Sequence, residues 1–74
     1  MSEFGKWLKR RRQEKRLNQH DLTKLSGVST HMISVYERGN RLPQMAVTRK
    51  LARALDEDAS TLMKIILNER DARA

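Results

Sequence analysis

A chain of 74 residues holds one domain and sits near the lower size at which a hydrophobic core alone sustains a fold. It contains no cysteine, which excludes a disulfide framework and a thiolate metal site; its two histidines, His20 and His31, stand too far apart to share a helix turn, so no metal or other cofactor is implied. Sixteen Lys and Arg against nine Asp and Glu give a formal charge of +7, the electrostatic footprint expected of a nucleic-acid binder, although composition alone does not exclude a membrane surface.

Residues 1–16 carry seven basic and two acidic side chains, so most of the excess charge lies on the first segment. The longest apolar run, Ile65-Ile66-Leu67, is far short of the roughly 20 residues of a membrane span, and no apolar segment of signal-peptide length follows the start. A cytoplasmic, unexported protein is expected, with no membrane partner.

Pro occurs once, Gly three times, and β-branched residues do not alternate with polar ones, so helices and short turns are predicted and no strand. The first helix begins at Ser2 as N-cap and runs to about Lys15, with Phe4 and Leu8 forming an apolar stripe that Arg12 continues. Asn18 caps the second, with Asp21 as the reciprocal capping-box residue and Leu17 and Leu22 as the hydrophobic staple. This helix spans Gln19 to about Ser26, and Gly27 ends it. The same pattern returns two residues later: Ser29 as N-cap, Val28 and Ile33 as the staple, and a third helix from Thr30 to about Arg38, where Gly39 follows.

Gly39 to Pro43 is loop chemistry, and Met45, Thr48, Leu51, Ala52 and Leu55 mark a fourth helix. Asp56-Glu57-Asp58 interrupts it, Asp58 caps a fifth helix rich in apolar residues, and the charged tail Asn68 to Ala74 is expected to fray. The expectation is one compact all-α five-helix domain over residues 1–74, with 59–74 as terminal helix and tail. The Met start and charged tail suit a complete small protein; the DNA-binding part of a longer repressor is the alternative.

Two short helices joined by a tight turn with Gly fit the helix-turn-helix unit, whose second helix lies in the major groove of DNA. Geometry of this kind is shared by many αα-hairpins that bind nothing. The residues are more specific. Leu17-Asn18-Gln19-His20-Asp21-Leu22, then Gly27-Val28-Ser29, Ile33-Ser34, Tyr36-Glu37-Arg38-Gly39 and Pro43, resemble the phage-repressor and Cro family of helix-turn-helix proteins, also called the XRE family. Upstream, Phe4, Gly5, Leu8 and Arg12 fit the same family, and Leu51 to Leu55 resembles its fourth helix, so the likeness covers roughly residues 4 to 63.

The resemblance implies a lambda-repressor-like fold and assigns roles. Thr30, His31 and Val35 would read base edges, a modest set because none is an Arg or Asn able to make a bidentate base contact. Gln19 would contact a phosphate while touching the recognition helix, and Ser34, Arg38, Asn40 and Arg41 would lie beside the sugar-phosphate backbone. Glu37 would face inward and pair with Arg12. For each polar position the plainer alternative is a solvated helix or loop residue. The run Lys9-Arg10-Arg11-Arg12 spans the whole circumference of a helix, so only part of it can face DNA; Arg10, with Lys6 and Lys15, is expected to supply backbone attraction, while the stem of Arg11 packs. Asp56 and Glu57 depart from the family, which commonly has Gly and an apolar residue there.

Phe4, Trp7 and Tyr36 are the only aromatics, too few to interleave as a stacking surface for single strands, so duplex DNA is the expected partner. On the last helix, Leu62, Met63, Ile65, Ile66 and Leu67 cover more than one docking stripe, which points to a homodimer interface; the fifth helix of many family members serves that purpose. A sequence-specific transcriptional regulator, a repressor acting as a homodimer on a palindromic operator, is the resulting expectation. The competing reading is an antitoxin-like or assembly module whose fifth helix docks a protein partner. No carboxylate pair, nucleophile with base, or phosphate loop stands at a spacing that suggests an enzyme.

Overall fold

The computed structural model describes residues 2–73, which form five helices: α1 (Glu3–Glu14), α2 (Gln19–Ser26), α3 (Thr30–Glu37), α4 (Met45–Ala54) and α5 (Ala59–Arg73). No strand occurs among the described residues, and no helix there is long and apolar enough to cross a membrane.

Local side-chain chemistry accounts for the first three starts. Ser2 accepts from the amide of Gly5, Asn18 and Asp21 close a complete capping box, and Ser29 accepts from the amide of Met32. Each satisfies backbone donors that the first helical turn leaves without a partner. Gly27 ends α2 in the left-handed conformation, φ 75°, which a Cβ would disfavour. Helix α4 starts at Gln44 without a side-chain cap, and Asp58 accepts from the amide of Ser60 at the start of α5.

Phe4, Leu8, Leu22, Ile33, Leu51, Leu55 and Leu62 are completely buried and bring all five helices to one core. Around it α1 packs on α3 and α5, α2 on α3 and α4, and α4 on α5. Gly5 is the point where α1 passes over the end of α3: a Cβ there would lie 2.7 Å from the carbonyl oxygens of both Tyr36 and Glu37. That close crossing fixes α1 against the end of α3.

The tail corrects an expectation. Residues 68–73 are helical and continue α5, and the side chains of Glu69, Arg70 and Arg73 bond to backbone groups elsewhere in the chain. Glu69 accepts from the amide of Phe4 at 2.9 Å, Arg70 donates to the carbonyl of Pro43 at 3.2 Å, and Arg73 donates to that of Gly39 at 3.0 Å. Ala74 lies outside the described residues.

Candidate nucleic-acid interface

The centre of the candidate site is a buried ion pair. Arg12 of α1 meets Glu37 of α3 through two parallel hydrogen bonds, Nε to Oε2 at 2.7 Å and Nη2 to Oε1 at 3.0 Å, and its Nη1 donates to the carbonyl of Leu17 at 2.7 Å. Gln19 completes the set by donating its amide to Oε1 of Glu37 at 3.1 Å. One cluster thus ties α1, the turn before α2, the first residue of α2 and the last of α3, with the forked geometry that suits guanidinium and carboxylate.

Above this cluster lies an open notch of about 240 Å³, lined by Lys9, Arg12, Gln19, Ser34, Glu37 and Arg38. Glu37 is engaged by Arg12 and Gln19 at its floor, while Lys9 and Arg38 are exposed at its edges. Gln19 sits in the first turn of α2, where backbone N–H groups and the helix dipole favour an anion. The combination suits a phosphate group.

The chain matches the model of a family described as "Helix-turn-helix domain" over residues 3–62. It is also 30% identical over 64 residues to the "Uncharacterized HTH-type transcriptional regulator YqaF" of Bacillus subtilis (strain 168), an alignment that covers 86% of this chain and 84% of that protein. The chain belongs to the XRE helix-turn-helix family. Its helix-turn-helix unit is α2, the turn at Gly27, and α3.

The start of α3 is open to solvent. Thr30 and His31 are both exposed there, with the hydroxyl of Thr30 2.9 Å from that of Thr23 on α2. Val35 is a correction: it is only 8% exposed, so it leaves the base-reading set. An apolar, β-branched side chain takes cover from its own protein rather than standing in water.

Ser34, Arg38, Asn40 and Arg41 fall at the far end of α3. Ser34 is half-buried and its carbonyl accepts from Nε of Arg38 at 3.3 Å, while Asn40 and Arg41 are exposed in the following loop. Arg10 is exposed on α1 but does not line the notch. Lys9 does, and sequence reasoning passed it over. The signal was present, because Lys9 stands three residues before Arg12 and such residues share a helix face.

The other two members of the basic run are spent on structure. Arg12 is buried in the pair with Glu37, and Arg11 turns to Glu57 in the segment between α4 and α5. Trp7 is half-buried and stacks on Phe4 with ring centroids 6.3 Å apart, which places it on the core rather than on an open platform.

The expected dimer set is also corrected in part. Leu62 is completely buried and Ile66 is 4% exposed, so both serve the chain's own core. Met63 and Ile65 are half-buried and Leu67 is exposed. Met63 and Leu67 border an apolar groove between α4 and α5 that Pro43, Met45 and Thr48 also line.

Proposed function

We propose that this protein is a sequence-specific, double-stranded DNA-binding transcriptional regulator that lays α3 in the major groove. Thr30 and His31 face base edges, and one backbone phosphate seats in the notch between Lys9, Gln19 and Arg38. The observation that carries the reading is that α3 has an exposed start at one end and, at the other, a cationic notch whose one carboxylate, Glu37, is already neutralised by Arg12. The description of the Bacillus subtilis relative as a transcriptional regulator supports it.

Asn40 and Arg41 extend the phosphate contacts along the loop, and Arg10 adds longer-range attraction that raises the association rate more than specificity. A second copy docks along the α4–α5 groove through Met45, Met63 and Leu67. Two recognition helices then face successive major grooves, about 34 to 36 Å apart, on a palindromic operator. Occupation of such a site across a promoter blocks polymerase, which makes repression the simplest output.

Selection of bound sites from random duplex DNA tests this directly. An enriched palindrome with half-sites one helical turn apart is the expected result, and recovery of unrelated sequences would remove specific DNA binding from the reading. On the selected duplex, Arg38→Ala should weaken binding to all sequences alike. It should also lower the slope of log affinity against log salt by about one unit for the lost phosphate contact. An unchanged slope would take Arg38 out of the interface.

A further inference from the structure

Two side-chain hydrogen bonds join α2 to α3, one at each end of the recognition helix. At the C-terminal end Gln19 donates to Glu37; at the N-terminal end the hydroxyl oxygens of Thr23 and Thr30 lie 2.9 Å apart. The first belongs to the buried cluster already described. The second caps no helix and lies at the exposed surface, where only its effect on Thr30 remains to explain it.

We propose that Thr23 is a positioning residue for base recognition, acting through Thr30; the inference rests on the reading of Thr30 as a base contact. A threonine in the first turn of a helix divides its time between side-chain rotamers. The bond to Thr23 selects one of them before DNA arrives, so less side-chain freedom is lost on binding and the hydroxyl and methyl groups hold fixed places in the groove.

The proton arrangement adds a second consequence. Two hydroxyls carry two protons, of which one lies between the oxygens and the other remains for a base or water. With Thr23 as donor, Thr30 offers its own proton to an acceptor such as guanine N7 or O6. With Thr30 as donor, its lone pairs face an amino group on adenine or cytosine. The pair therefore fixes where Thr30 makes its contact while leaving the sign of that contact adaptable.

Thr23→Val keeps the shape and deletes the hydroxyl. On the selected duplex and its single-base-pair variants, it should reduce discrimination at one base pair per half-site by about three- to tenfold, the range of one lost hydrogen bond. The salt slope and the affinity for random duplex should not move. Thr23→Ser should restore discrimination. Thr23→Ala, a better helix former, should lose it as Thr23→Val does, which separates the effect from impaired folding. Thr30→Ala should abolish preference at the same base pair, and adding Thr23→Val to it should change nothing further.

Full discrimination in Thr23→Val and Thr23→Ala would overturn the proposal while leaving Thr30 as a base contact. So would a Thr23→Val effect that persists undiminished beside Thr30→Ala. Unaltered preference at every position in Thr30→Ala would overturn the base-reading role itself, and the inference with it.

Discussion

At Glu37 both carboxylate oxygens are engaged, by two nitrogens of Arg12 and the amide of Gln19, and the side chains of the ion pair are only 9% and 5% exposed. Such a pair contributes less through mutual attraction than through the penalty of separating it, because removing one partner strands the other charge away from water. Glu37→Ala should therefore lower the unfolding free energy by about 3 kcal/mol, measured by urea denaturation. That is a large share of the roughly 4 to 10 kcal/mol expected of a domain this size. Replacing both partners together, Arg12→Met with Glu37→Leu, should cost less than the single change, since no buried charge remains. A double variant less stable than Glu37→Ala would mean that the ion pair itself, rather than the stranded charge, dominates. The same cluster forms the floor of the notch, so stability and the proposed phosphate seat would depend on one carboxylate.

Among the elements, local chemistry was the legible part. Ser2, Asn18 with Asp21, Gly27 and Ser29 announce helix limits within three residues of themselves, and the structure uses each as a cap or stop. What stayed hidden depends on separation in sequence. Arg11 meets Glu57 across 46 positions and Glu69 meets Phe4 across 65, distances at which periodicity carries no information, so the docked end of α5 read as a fraying tail. Burial on α5 was misjudged for a related reason. The run from Leu62 to Leu67 shows a surplus of apolar surface without showing which side chains the core takes, and the core takes Leu62 and Ile66. The family likeness puts Val35 among the base readers, whereas its apolar character draws it under cover in the fold.

Two element boundaries retain a backbone cost: Arg16, after α1, has φ 60°, and Asp56, after α4, has φ 57°. A left-handed conformation costs an ordinary side chain about 1 to 2 kcal/mol, and an Asp less because its short polar side chain can hydrogen-bond locally. Arg16→Gly should thus stabilise the fold by up to about 1 kcal/mol after the extra flexibility of Gly in the unfolded chain is deducted. Asp56→Gly should give a smaller gain. Thermal midpoints checked side by side would detect the order, and a loss on Arg16→Gly would show that its side chain contributes more than its backbone costs.

At the scale of the whole molecule, the proposed DNA-facing side and the α4–α5 groove are built from different helices, so the two can be tested apart. Helices α2 and α3 present the candidate interface, whereas Met45 and Leu67, each 56% exposed, flank the groove that the second copy would cover. Leu67→Glu leaves the core untouched and puts a charge where two copies would meet, with a symmetry-related charge nearby. Analytical ultracentrifugation should then find a folded monomer. Full operators would be bound far more weakly, because the second half-site no longer adds its contacts, while affinity for an isolated half-site would stay near that of the unaltered chain. Ile66→Glu is a contrast rather than an equivalent, since Ile66 is buried and an unpaired carboxylate there should unfold the domain. A Leu67→Glu protein that remains dimeric would move the interface off the groove. An unaltered chain that is monomeric at micromolar concentration, with the groove uncovered, would instead favour a different protein as its occupant, as the interaction-module reading requires.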